Sequence, residues 1–315
     1  MSFIHFIRCT VAVYAVFSAA AVFAESVPRQ QSDSAAEPFT AFLRYAEFAA
    51  AAYGDVDGFK RVCESHNFEF TNTGANISDK VRYFIATNDR NKSHIVAVRG
   101  TANMENALLD IEFELTPDKV LGIELHKGFA DSSQNLYGEL ASQLHKNYTV
   151  HLTGHSLGGA VAVVLGMYLD KHGYSVGDIV TFGQPKVTNR SGAKTFEHLH
   201  ILRVNTVADM VPMVPPFDAS QIMSFKFDIF WHLGKEYVLL SDKYYALLDG
   251  LDSLLRGADF LSQKPTADNI AAHQMETYLK LIKNLAKSAT EIPYDKRDEY
   301  IPQAPATTQI QKTNY

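Results

Sequence analysis

Three side chains able to form a nucleophile and its proton shuttle stand far apart in the chain: Ser156, Asp209 and His273. A serine hydroxyl attacks poorly unless a base takes its proton, and that base is ordinarily a histidine oriented by a carboxylate. Ser156 sits in TGHSLGGA, with Gly154 and Gly158 two positions away on either side. So short a pattern decides little by itself, and its neighbours must carry it. Upstream, YTVHLT is β-branched and aromatic with alternating character, which predicts a strand. Downstream, LGGAVAVVLGMYLDKHG is apolar nearly all round and stops at Gly173, which predicts a buried helix. A serine at such a strand-to-helix turn is held in a strained conformation that lifts its hydroxyl clear of the sheet. Side chains two residues away would collide there, hence the glycines.

For a serine so placed, the acid and then the base follow later in the chain. Two histidines come after the strand-like LHILRVNT, namely His232 and His273. Asp209 lies just past that strand in VADMVPMVPP, at the carboxyl end where sites of open α/β sheets gather, and Pro212, Pro215 and Pro216 fix an irregular loop behind it. Asp218 and Asp228 are weaker candidates because nothing places them at a strand end. His232, in FWHLGKEYVLL, has the surroundings of a packing histidine. His273 opens a helix-like segment anchored by Ile270, Met275, Tyr278, Leu279 and Ile282, and is the favoured base. An acyl-transfer reaction also requires donors for the oxyanion. Leu157, directly after the nucleophile at a helix start, supplies one backbone N–H. Thr101, after the strand HIVAVRG, is the candidate for the other, with a plain turn residue as its alternative reading.

These residues must be positioned by a larger scaffold. The 315-residue chain is 46% hydrophobic and 20% charged, enough for one α/β domain with a sizeable core. Its net charge of -6 gives no reason to expect nucleic acid. PFTAFLRYAEFAAAAYGD reads as a helix with Phe42, Tyr45, Ala49 and Ala52 on one face. VRYFIATND and HIVAVRG read as strands joined by a polar turn, and TVHLT, DIVTFG, LHILRVNT and EYVLLSD as further strands. Helical patterns occupy 129–146 and 269–287. Interleaved strands and helices imply a predominantly parallel sheet covered by helices. Two apolar stretches, FKFDIFW and a heptad-like stripe of Leu247, Leu251, Leu254 and Leu261, suit core packing or an acyl groove.

Residues 1–24 read as a cleaved secretory signal: Arg8 precedes an apolar run ending Val22-Phe23-Ala24. An uncleaved anchor from Phe3 to Ala24 is the alternative. The expected organisation is therefore a signal over 1–24, a catalytic domain over 25–290 and an irregular or disordered tail over 291–315, in a secreted or periplasmic protein. Cleavage would remove Cys9 and leave Cys63 as a spectator thiol, so no internal disulfide is expected. No Cys/His/Asp cluster has ligand spacing, so neither metal nor organic cofactor is expected.

Taken together, VRGTANMENALLD, HKGF, TGHSLGGA and VNTVADMVPMVPP, followed by HLGKEY and AAHQMETY, resemble the class 3 lipases, the fungal-type family on an α/β-hydrolase fold. The resemblance spans most of 41–287. It puts the family's nucleophile on Ser156, its acid on Asp209, its base on His273 and its oxyanion residues on Thr101 and Leu157. His232 matches the family's non-catalytic histidine. The family's lid falls on 102–114, where Met104, Ala107, Leu108 and Ile111 share a helical face, so transient contact with a lipid interface is one expectation and a static surface helix the other. Ala107 stands where some members carry tryptophan. The implied activity is hydrolysis of carboxylic esters of lipids, most simply a triacylglycerol lipase. A phospholipase A1 or feruloyl-type esterase shares the scaffold, and a silent lipid- or protein-binding module is the alternative from another class.

Overall fold

In the computed structural model, residues 35–75, 81–101, 114–215, 229–258 and 266–302 are described. The chain opens with α1 (Glu37–Ala51) and α2 (Val56–Ser65), then β1 (Glu69–Ala75), β2 (Arg82–Asn88), β3 (Ser93–Val98), β4 (Leu115–Asp118) and β5 (Ile123–His126). It continues through α3 (Lys127–Leu140), β6 (Thr149–His155), α4 (Leu157–Lys171), β7 (Ser175–Phe182), β8 (Thr188–Asn189), α5 (Arg190–Thr195) and β9 (Ile201–Thr206). Last come β10 (Phe230–Trp231), β11 (Lys235–Leu239), β12 (Tyr244–Leu248), α6 (Gly250–Ala258), α7 (Ala267–His273), α8 (Met275–Leu285) and β13 (Thr290–Glu291).

The main sheet has nine strands in the order β1-β2-β3-β6-β7-β9-β11-β12-β13. Its centre, β3 through β11, is parallel, whereas β1 to β3 form an antiparallel meander. This is the expected α/β-hydrolase architecture, a mainly parallel sheet covered by helices on both faces. The period-two side-chain rule sorts the strands between the two layers. Val150 and Leu152 of β6 join α3 and α4 in one core cluster. On the opposite face Val180, Phe182 and Val204 meet Phe39, Phe42 and Tyr45 of α1 and Tyr278 and Ile282 of α8. The odd-numbered residues of β6, His151, Thr153 and His155, therefore look toward α1, and the Thr153 hydroxyl donates to Tyr45 O at 3.2 Å. A smaller sheet, β10-β8-β5-β4, includes the hairpin of β4 and β5.

Three expectations are corrected. The pattern over 269–287 is two helices, broken at Gln274, which adopts extended backbone (φ -65, ψ 139). The leucine stripe fails at its first member, because Leu247 lies in β12, paired with Tyr237 of β11, and α6 begins only at Gly250 (φ 44). Inter-strand pairing overrides helical spacing there. Third, the start of the expected tail is packed: Ile292 is buried in a cluster with Val238, Leu240 and Leu248, against which Tyr294 and Ile301 lie. Cys63 is free and buried, and burial pushes its thiol pKa up. The lid segment 102–113, Asp218, Asp228, Leu261 and residues 1–24 lie outside the described residues. Among the described residues no helix is long and apolar enough to cross a membrane, and no group of three or more His, Cys, Asp or Glu could hold a metal ion.

Candidate active site

At the end of β6 the chain turns into α4 through Ser156, whose backbone lies at φ 58, ψ -132. Such a conformation in a non-glycine residue costs on the order of 1–3 kcal/mol and persists only where its surroundings impose it. The Ser156 N–H is tied to Phe182 O at 2.8 Å, pinning the turn to β7. The flanking glycines answer to contact: a Cβ on Gly154 would lie 2.5 Å from the Gly158 carbonyl, and one on Gly158 would lie 2.3 Å from Val98 O. The segment after β3 thus runs directly against the elbow. A Cβ on Gly100 would come within 3.2 Å of Ser156 Cβ, so Thr101, the next residue, follows a backbone that touches the nucleophile. Leu157 is the first residue of α4, so its N–H has no acceptor within the helix.

Asp209 and His273, far apart in the chain, are brought together. His273 Nδ1 lies 2.6 Å from Asp209 Oδ2. Asp209 is fully buried and His273 is 2% exposed. Burial alone would push the Asp209 carboxyl up. The His273 ring, the Tyr278 hydroxyl and the Val211 N–H outweigh it and hold the group below the usual carboxylate range. An ionised carboxylate only accepts, so His273 Nδ1 carries a proton and donates it to Asp209. Nε2 is buried and has no hydrogen-bond partner among the described residues. Nε2 is thus the ring nitrogen left to exchange a proton with a neighbouring hydroxyl. Ser156 itself is fully buried.

Four contributors escaped the sequence reading. Tyr278, read only as an anchor, donates its hydroxyl to Asp209 Oδ2 and accepts from Thr206 N–H at 3.3 Å. Gly183 closes β7 at φ 60, and a Cβ there would lie 2.8 Å from both Asp209 Oδ2 and His273 Cε1. Only glycine fits under the pair. The signal was visible as the last letter of DIVTFG. His155 and Tyr53 are the others, joined by a 2.8 Å contact between Tyr53 Oη and His155 Nδ1. His155 stood inside the quoted motif, but nothing in one dimension showed which face of β6 it occupies.

His232, the rejected base, lies apart from this pair: its Nε2 is 2.7 Å from Pro212 O. Around it a second buried network holds the acid loop. Arg256 donates to Thr206 O and Val207 O, Asn269 to Ala208 O, and Lys186 Nζ to Met213 O and Pro215 O. Glu236 is the shared counter-charge of Arg256 and Arg203.

A mainly parallel, doubly covered sheet with a serine at the elbow after β6, and a buried Asp–His pair whose carboxylate follows β9 two strands away, is the α/β-hydrolase arrangement. Residues 95–219 of the chain match the family described as Lipase (class 3). The chain is 34% identical over 142 residues to the secreted mono- and diacylglycerol lipase 1 of Fusarium solani, a match covering 42% of each chain. It is 32% identical over 195 residues to a lipase of Rhizopus oryzae, covering 56% of this chain and 50% of that one. The chain thus spans about half the length of these curated relatives or less. The solved lipase of Rhizopus microsporus var. chinensis superposes with a TM-score of 0.53 at 26% identity, over 71% of this chain and 80% of that one. The Rhizomucor miehei triacylglyceride lipase shares the fold, with a TM-score of 0.56 at 24% identity over 67% and 82% of the two chains.

Proposed function

We propose that the protein is a secreted serine esterase acting on acyl esters of lipids, with acylglycerols as the substrate class. The observation that carries this reading is the buried Asp209–His273 pair, which leaves His273 Nε2 as an unpartnered acceptor in the same site as the strained Ser156. In the first half-reaction Ser156 Oγ attacks the ester carbonyl and its proton passes to His273 Nε2. The tetrahedral oxyanion is met by the Leu157 and Thr101 N–H groups. His273 then gives the proton to the departing alcohol, leaving an acyl-serine. Water, deprotonated by the same nitrogen, releases the fatty acid and restores the serine. Asp209 stays ionised throughout, holding the ring in its tautomer and stabilising the imidazolium.

Acylglycerols are preferred because the relatives from Fusarium solani and Penicillium camembertii are named as secreted mono- and diacylglycerol lipases. Export through a signal over residues 1–24 belongs to the same reading, and a mature chain beginning at Glu25 would support it. The decisive experiment replaces Ser156 by Ala and measures hydrolysis of a p-nitrophenyl ester together with labelling by a fluorophosphonate. Both should vanish while the far-UV circular dichroism spectrum is retained. Undiminished hydrolysis by Ser156→Ala would sink the proposal.

A further inference from the structure

We infer that His155, locked by Tyr53, is a positioning residue that caps the helix carrying the base and ties it to the oxyanion strand; this rests on the esterase reading above. The starting point is the end of α7. A helix leaves its last carbonyls without intrahelical partners, and a buried end needs outside donors. Three successive carbonyls there each meet a side chain. The Thr277 hydroxyl donates to Ala271 O at 2.8 Å, the Thr206 hydroxyl to Ala272 O at 2.8 Å, and His155 Nε2 lies 2.7 Å from His273 O. The last of these belongs to the base itself. The helix breaks at Gln274 because its final carbonyls are held by these groups, and the break fixes where the His273 ring stands.

The protonation of His155 follows from its partners. A carbonyl oxygen only accepts, so Nε2 carries the hydrogen; Nδ1 is then an acceptor, and the Tyr53 hydroxyl donates to it. The Tyr53 oxygen in turn lies against Gly100, the residue before Thr101, where an added Cβ would come within 2.7 Å of it. One chain of contacts therefore runs from the segment after β3 through Tyr53 and, by hydrogen bonds, through His155 to the backbone of His273. His155 also directly precedes Ser156, so nucleophile, base and oxyanion loop share one reference. Burial, and next the His273 ring, whose centroid is 4.6 Å away, push the His155 pKa down to about 3. The residue thus remains neutral while His273 cycles through its charged form, and adds no competing positive charge beside it.

A positioning role is separable from a merely structural one by kinetics. Tyr53→Phe keeps the ring but leaves His155 Nδ1 without a donor. It is expected to lower kcat on p-nitrophenyl butyrate by about tenfold or more, with KM changed less than about twofold, since small misplacements of reacting groups act on the chemical step. A kcat within about twofold of the parent would overturn the inference. His155→Gln retains a side-chain N–H able to reach His273 O, whereas His155→Phe does not. The Gln variant should keep at least about tenfold more kcat than the Phe variant, and equal loss would count against the cap. Should these variants fail to fold, the intact protein still decides, because nitrogen-15 shifts of its imidazoles must show His155 protonated at Nε2 and bare at Nδ1. The reverse tautomer overturns the inference. A parent chain that neither hydrolyses the ester nor takes the fluorophosphonate instead overturns the esterase reading, whatever the tautomer.

Discussion

His273 and His232 both stand beside the loop that follows β9, and their surroundings drive them to opposite behaviour. His273 faces a carboxylate: its Nδ1–H donates to Asp209 and its Nε2 is left open. His232 faces cations. Withdrawal from water, then the Arg203 guanidinium and the Lys186 ammonium, hold its pKa well below the ordinary histidine value, and its Nε2–H is committed to Pro212 O. An imidazole among positive charges cannot accept another proton, so His232 is a neutral strut for the acid loop. At His232 burial and the neighbouring cations act in the same direction, whereas the His273 ring meets a carboxylate.

The largest effect is expected where the carboxylate-facing ring is removed. His273→Ala should lower kcat by on the order of 10⁵–10⁶, because triad members act as a unit and the loss of one removes nearly the whole contribution. Ester hydrolysis under single-turnover conditions would measure it, with the folded signal unchanged. A loss below about a hundredfold would mean that another group serves as base.

The cation-rich side should break differently, in stability before activity. Glu236 is fully buried and accepts from Arg256, Ser253 and Asn205 Nδ2, with Arg203 Nη1 3.5 Å away. Burial would raise its carboxyl pKa, but Arg256 and Arg203 prevail and lower it to about 2. Removing one partner of a buried pair leaves the other charge uncompensated, at a cost of about 3–5 kcal/mol. Glu236→Gln should therefore lower the denaturant midpoint by that equivalent. Because the folded-state pKa is depressed, the carboxylate's contribution is fully present above the unfolded value of about 4.3 and is lost as pH falls toward the folded value. The parent should lose stability over that window, and the Gln variant should lack that part of the slope.

Lys186 has the opposite sign. It is buried, donates only to carbonyls, and burial followed by Arg203 lowers its pKa to about 7. Between that value and the unfolded one of about 10.4 the unfolded chain binds more protons, so stability due to this group rises with pH across that window. Lys186→Met should flatten the rise in chemical denaturation measured at pH 7 and 9. An unchanged slope would show that Lys186 does not titrate there.

The contrast between the two histidines also marks how much of the molecule was legible in one dimension. Chain order, the elbow glycines and a strand end were enough to single out Ser156, Asp209 and His273 as candidates, because each signal is local or ordinal. The central strands were legible for the same reason, through β-branched runs bounded by turns. What stayed hidden depends on faces and on distant pairing. His155 meets Tyr53, 102 positions away, and His273, 118 positions away, and no periodicity of β6 says that its odd residues face α1. The break at Gln274 carries neither glycine nor proline, since side chains from β6 and β9 cap that helix. Leu247 looked helical because strand pairing with β11 leaves no mark at heptad spacing.

The smallest expected change tests the comparison most sharply. His232→Gln keeps an N–H able to reach Pro212 O and removes only the imidazole, so kcat/KM should stay within about threefold of the parent. Stability should change by about 1 kcal/mol, the net scale of one hydrogen bond. The same substitution at His273 removes the open Nε2 and should abolish turnover, although Gln could still donate to Asp209. If His232→Gln proved the more damaging of the two, the assignment of base and strut would have to be exchanged. Matched kinetics of the two glutamine variants on one soluble ester therefore ask which of the two imidazoles serves as the base.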